Sequence, residues 1–266
     1  MTNIDSFPES ADNSNYSQMN QNSEPIENAR SSSKSVDIVR FLSSLKEFKQ
    51  IPSSDLESLA YSSKFSSIDA GEYISIEGDQ EGLYGFIIVT GCIAMVKNSV
   101  SGKELIVELL QAYDVFGLLL TLAAEKFPYQ LSARCLQRTT VLWVPIQLLN
   151  NLLKLHPILF KEFTAHLLIC LQSSYRISRG LAHDLVEVRI AAVLGALVSK
   201  FNVPSIAKKF PTIRFTRKQI ADLTGTTPET AIRVTRAMQR DGLIDIKRPG
   251  IIGILNLAGL LSLAES

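Results

Sequence analysis

The sequence predicts an α+β chain in three successive parts: an N-terminal antiparallel β jelly roll, a long helix and a C-terminal winged helix-turn-helix. Three observations predict it. Short apolar strands cut by glycines run from Phe65 to Pro145, a three-four apolar repeat follows, and two capped helices with a hairpin close the sequence. With 266 residues, 46% of them hydrophobic, the chain can build one large domain or two smaller ones.

Residues 1–36 are rich in Ser, Asn, Gln and acidic side chains. They cannot bury enough apolar surface to offset ordering entropy and are expected as a disordered polar tail. VDIVRFLSSL and SSDLESLAY, between Val36 and Tyr61, suggest one or two helices. The pattern then turns to strands, with candidates Tyr73–Ile76, Gly85–Val89, Ile93–Lys97, Glu104–Leu110 and Thr140–Val144. Gly71, Gly78, Gly82, Gly91, Gly102 and Gly117 punctuate them, as the turns of a compact antiparallel barrel require.

After Pro145 a helical pattern runs past His183. Within it Phe160, Phe163, Leu167, Cys170, Ser174, Ile177 and Leu181 alternate in spacings of three and four. This is a heptad seam through which two copies could pair, although a helix packed on its own barrel gives the same repeat. A further helix is expected over about 185–201. The divisions are 1–36, 37–156, 157–183 and 184–266.

The stretch FTRKQIADLTGTTPETAIRVTR, Phe215 to Arg236, is the most informative. Thr216 can cap a first helix, Ile220 and Leu223 share its face, and Gly225 can stop it at positive φ. Thr227 can cap a second helix, with Pro228 at its first position and Glu229 at the positive end of the dipole. Ala231 and Val234 then face inward, leaving Glu229, Thr230, Arg233 and Arg236 outward. This is the layout of a helix-turn-helix, whose second helix enters the DNA major groove. Leu243–Lys247 and Ile251–Leu255 flank Arg248-Pro249-Gly250, a hairpin that would form a wing.

Net charge is only +1, but residues 208–250 hold ten basic side chains against four acidic ones, a phosphate-binding footprint on double-stranded DNA. Cys92, Cys135 and Cys170 are isolated and give neither a disulfide framework nor a metal motif. His156, His166 and His183 have no ligand-pair spacing, so no metal is expected. No phosphate-cradling glycine loop or nucleophile–base motif points to an enzyme. No apolar run approaches about 18 residues, and no secretory leader pattern is visible. A cytoplasmic protein without a membrane partner is expected.

Barrel, seam helix and winged helix-turn-helix in this order resemble the cyclic-AMP receptor protein/Fnr (Crp/Fnr) family of bacterial transcription regulators, over about residues 37–257. The barrel motifs are Gly71-Glu72-Tyr73-Ile74, Glu77-Gly78-Asp79, Phe86-Ile87-Ile88, Gly91 and Asp114-Val115-Phe116-Gly117. Leu181-Ala182, Arg189-Ile190-Ala191 and the E-T-x-x-R of Glu229-Thr230 and Arg233 complete the set. The resemblance implies a cyclic-nucleotide-binding-like sensor barrel, a dimerisation helix and a DNA-binding domain. It further implies a homodimer on a pseudo-palindromic operator and RNA polymerase as a partner. Glu229 would accept from cytosine and Arg233 donate to guanine. Thr216, Arg217, Thr227, Thr230, Arg236, Lys247 and Arg248 complete the expected DNA-binding set.

Members that bind cyclic AMP hold the ribose with a glutamate after the glycine that Gly117 matches, and the phosphate with an Arg-Ser or Arg-Thr pair. Here the positions are Leu118, Tyr129 and Gln130. None grips an anion as arginine does. Arg134 could substitute only with a shifted strand register. With Ser174 and Tyr175 of the seam helix, these are the candidate effector-pocket residues. The barrel is then a sensor for an effector other than cyclic AMP, or an effector-free dimer scaffold, and no cofactor is expected. A dicarboxylate such as 2-oxoglutarate would need Arg134, Arg176 or Arg179. The alternative is a regulatory module, responsive to a cyclic nucleotide or 2-oxoglutarate, that acts mainly through protein partners.

Overall fold

The computed structural model describes residues 28–79, 84–117, 128–201 and 210–266, with the backbone alone for 28–34 and for Lys247. The chain begins with helices α1 (Asn28–Ser44) and α2 (Ser53–Ser62). α1 reaches back into the expected tail. Once VDIVRFL is docked, extending a helix upstream carries no further nucleation cost.

Eight strands follow: β1 (Lys64–Ile68), β2 (Tyr73–Ser75), β3 (Tyr84–Thr90), β4 (Cys92–Asn98), β5 (Glu104–Gln111), β6 (Val115–Phe116), β7 (Ser132–Cys135) and β8 (Thr139–Pro145). They form two four-stranded sheets, β1-β8-β3-β6 and β2-β7-β4-β5, antiparallel in every described pairing. The five expected strands lie inside β2, β3, β4, β5 and β8 apart from Ile76. β1, β6 and β7 were not expected.

Two helices stand where one helical pattern was read, α3 (Ile146–Leu155) and α4 (Pro157–His183). Pro157 has no amide to continue α3 and opens α4 at its first position. α5 (Val186–Lys200) leads to β9 (Thr212–Ile213), α6 (Arg217–Thr224) and α7 (Pro228–Arg240). β10 (Ile244–Arg248), β11 (Ile251–Ile254) and α8 (Leu257–Ala264) close the chain. β10 and β11 make the expected wing, and β9 extends it to a three-stranded sheet.

Two apolar cores organise these elements. The first fills the jelly roll and runs out to α1, α2, α3 and the start of α4, with Phe86 stacked on Phe116 at 4.6 Å. The second is centred on Leu194, Ile220, Ala231, Ile244 and Leu260, and it continues into the barrel. β4 carries both: Ile93 and Met95 belong to the first, Cys92, Ala94 and Val96 to the second. A strand buried on both faces reads as an unbroken apolar run, which is why CIAMV shows no alternation. α6 packs directly against β5.

Candidate functional site

The C-terminal helix pair is set by its caps. The Thr216 hydroxyl accepts from the Gln219 amide at 3.1 Å, while the Gln219 side chain accepts from the Thr216 amide at 2.7 Å. This reciprocal box satisfies two donors that a helix start leaves open. Gly225 ends α6 at φ 60, and a Cβ there would lie 2.5 Å from the Leu181 side chain. Left-handed backbone and close approach both call for glycine. Thr227 caps α7 by accepting from the Thr230 amide at 3.3 Å, with Pro228 in the first turn. Ala231, Val234 and Met238 are buried, so the 3.6-residue period leaves Glu229, Arg233 and Arg236 along the exposed face. The Glu229 amide and the Thr227 hydroxyl hold the Glu229 carboxyl below its usual range. It is therefore an ionised acceptor at neutral pH. Arg248 is exposed on the wing, and Arg217 is half-buried with its Nε unpartnered among the described residues. The Thr216 proton is already engaged by the Gln219 side chain, and the Thr227 hydroxyl also lies 3.2 Å from that of Thr230.

A cavity of about 450 Å³ lies between the barrel and α4. Met95, Phe116, Gly117, Tyr129 and Leu131 line the barrel side, Leu167, Leu171 and Ser174 the helix side. Gly117 stands at φ 81, where a Cβ would be 2.9 Å from the Tyr84 carbonyl. The described lining contains no Lys or Arg. Three donors do meet there: Glu108 of β5, and His166 and Cys170 of α4. A bulge in β5 opposite Met95 and Val96 puts Glu108 across from Met95, on the cavity side. Burial pushes the Glu108 carboxyl up. Burial, with the charge of Glu108, pushes the Cys170 thiol up to about 12.

On the opposite side of the same sheet lies a charged clasp. Glu104 of β5 accepts from Lys218 of α6 at 3.0 Å, pairs with Arg134 of β7 at 3.1 Å, and accepts from the Tyr73 hydroxyl at 3.3 Å. Lys218 also reaches Asp222 at 2.9 Å. Burial alone would raise the Glu104 carboxyl, but Lys218, Arg134 and Tyr73 outweigh it and hold it below the usual range. Burial, and next the charge of Glu104, push the Tyr73 phenol up.

Residues 65–156 match the model of the cyclic nucleotide-binding domain, and residues 188–263 that of the Crp-like helix-turn-helix domain. The chain belongs to the Crp/Fnr family. It is a Crp/Fnr-type transcription regulator. The same fold is found in FixK2 from Bradyrhizobium japonicum, at TM-score 0.65 and 21% identity over 76% of this chain and 96% of that one. The c-di-GMP responsive global regulator CLP of Xanthomonas campestris gives 0.67 and 18%, over 76% and 99%. A CRP/FNR family transcriptional regulator of Thermus thermophilus, TTHA1359, gives 0.64 and 24%, over 76% and 99%. A search of curated proteins finds no match.

Within this Crp/Fnr architecture the expected pocket residues divide. Gly117, Tyr129, Gln130 and Ser174 line the cavity. The Tyr129 hydroxyl is tied to the Tyr84 backbone at 3.0 and 2.9 Å, and the Gln130 amide donates to the Pro128 carbonyl. Arg134 is not in the cavity. It pairs across from Ala94, on the side that carries the second core, because strand alternation sends Ala133 and Arg134 to opposite faces. Tyr175 is 65% exposed and also outside it, and Leu118 lies outside the described residues. Arg176 and Arg179 are exposed on α4.

The seam divides too. Phe163 is buried in the barrel core, Leu167 packs on that core, and Cys170 meets Glu108. Those three positions of the three-four repeat mark the helix face turned to its own barrel. Phe160, Ser174 and Leu181 are exposed and Ile177 is half-buried. The exposed apolar side chains of α4 also include Leu168, Ile169, Leu171 and Tyr175, which the seam reading left out. Nothing in the sequence reading singles out Glu108, and His166 and Cys170 appear in it as isolated side chains, whereas the structure groups all three. The i, i+4 spacing of His166 and Cys170 was the one local signal, since such positions stack on a helix face.

Proposed function

We propose that the protein acts as a homodimer on a pseudo-palindromic operator, read by Glu229 and Arg233, and that its barrel responds to an effector other than cyclic AMP. The observation that carries this reading is the exposure of Glu229 and Arg233 one turn apart near the start of α7, on a helix fixed by its cap and a buried Ala231/Val234 face. Arginine donates two hydrogen bonds to guanine and a carboxylate accepts from cytosine. Arg217, Arg236, Lys247 and Arg248 then serve phosphates, which set position and carry no sequence information. The exposed Leu168, Leu171 and Tyr175 of α4 support pairing of two copies along that helix. In a two-fold dimer the recognition helices lie one DNA turn apart, about 34–36 Å. Family resemblance supports RNA polymerase as a further partner. The absence of Lys and Arg from the described cavity lining supports an effector that needs no such side chain.

Selection from random duplex DNA by the full chain tests the reading. Wild type should enrich an inverted repeat with a G·C pair in each half-site. Arg233→Ala should weaken binding by about 1–3 kcal/mol per half-site and erase the preference at that base pair. The same enriched sequence with the variant would mean that another element reads the DNA.

A further inference from the structure

We propose that Glu108, His166 and Cys170 form a binding site for one zinc-class divalent ion at the junction of barrel and long helix. One donor atom from each of the three lies within 4.8 Å of the other two. The Cys170 Sγ is already 3.5 Å from a Glu108 carboxylate oxygen. Zinc takes imidazole, thiolate and carboxylate at about 2.0–2.3 Å, so tetrahedral ligands stand roughly 3.3–3.8 Å apart. Side-chain rotation by about 1 Å closes the present arrangement onto an ion of that kind. His166 and Cys170 come from successive turns of one helix, while Glu108 comes from a strand whose bulge turns it toward them. Two rigid elements thus hold the set.

A second observation points to a cation. Glu108 is half-buried, and among the described residues its one hydrogen bond comes from the Cys170 thiol, a weak donor. A carboxylate withdrawn from water without a counter-ion is unfavourable. The charges that favour the ionised form of Glu108 are His166, itself one of the three donors, and Lys200, which is engaged with Asp114 at 3.4 Å, and burial outweighs them. An ion at the three donors supplies the missing charge.

Three protein ligands leave a zinc ion one open position. All three residues line the 450 Å³ cavity, so that position faces the space where a small molecule would enter. The ion gives the cavity the positive charge that its described side chains lack. It also links β5, which carries α6 on its other side, to α4. The site stands independently of how the protein reads DNA.

The test is metal titration of the full-length, reduced, chelator-stripped protein. Zinc is measured in competition with a chromophoric chelator, and cobalt serves as the spectroscopic probe. One ion per chain is expected, with a thiolate-to-cobalt charge-transfer band. Loss of a residue that merely supports a ligand lowers metal affinity by 10–100-fold. Cys170→Ser and His166→Ala, which remove ligands, should each lower zinc affinity by at least about 100-fold. Cys170→Ser should also erase the charge-transfer band, and Glu108→Gln should weaken binding. His183→Ala, on the same helix away from the site, should bind as wild type. Circular dichroism establishes that each variant is folded. Zinc binding that survives Cys170→Ser and His166→Ala together, a cobalt complex without a thiolate band, or no binding by folded wild type below millimolar zinc would each overturn the proposal.

Discussion

The two sides of the β2-β7-β4-β5 sheet have nearly opposite chemistry, although neighbouring residues build them. On one side Met95 and Ala133 face the jelly-roll core, beside a cavity whose described lining lacks Lys and Arg. On the other, Ala94 and Val96 join the core of the DNA-binding unit, with the Glu104, Arg134 and Lys218 clasp at its edge. A step of one residue along β7, from Ala133 to Arg134, crosses between them. In a strand such a step inverts the face. The arginine that could have served an anionic effector instead pairs with Glu104, the barrel carboxylate that Lys218 of the DNA-binding unit reaches. Cation supply near the barrel is a matter of register.

The sharpest test sets those two positions against each other. Ala133 is fully buried opposite Met95. Ala133→Asp places an unpaired carboxylate in that core and should cost about 3–5 kcal/mol or unfold the barrel. Arg134→Met keeps most of the side-chain volume and leaves Glu104 its bond to Lys218. It should cost about 1.5–3 kcal/mol, the scale of one hydrogen bond to a charged group. Urea denaturation measures both. Equal losses would mean that the two faces do not differ as described.

A smaller effect comes from titrating the clasp. The Glu104 carboxyl is held below its usual value in the folded chain. Its contribution is therefore fully present above the unfolded pKa, about 4.3, and is lost as pH falls through the folded value. Glu104→Gln should lower stability by about 1–3 kcal/mol at pH 7. The gap to wild type should hold down to about pH 5 and close at more acid pH. A gap that widened on acidification would mean that Glu104 is not stabilised as an anion.

What could be read in advance follows from how local each signal is. Thr216, Gly225 and Thr227-Pro228 fix α6 and α7 through contacts three or four residues away, so both helices and their outward residues were legible. Strands β2, β3, β4, β5 and β8 were legible because glycines cut them. Lys64–Ile68, KFSSI, has little apolar patterning, and Val115–Phe116 is only two residues long, so both were missed. The three-four repeat of α4 was visible, but periodicity alone does not tell which partner a helical face meets. Phe163 and Leu167 meet their own barrel. The bulge in β5 has no sequence mark, and without it alternation would have sent Glu108 to the clasp side.

The smallest expected effect is none at all: calorimetric titration with millimolar cyclic AMP should give no heat, and operator affinity should not change. A buried cyclic phosphate needs a counter-charge. On the alignment that the family resemblance implies, the cyclic-AMP grip falls on Tyr129 and Gln130, and the Tyr129 hydroxyl is already tied to the Tyr84 backbone. Arg134 is no substitute while it is paired with Glu104 on the far side of the sheet. Micromolar binding lost in Arg134→Ala would show that the arginine leaves the clasp for the ligand, and the two faces would then exchange charge. Micromolar binding that survives Arg134→Ala would mean that the strand alignment that sets Tyr129 and Gln130 at the phosphate position is wrong. The first result would break the assignment of the cations to one side of the sheet.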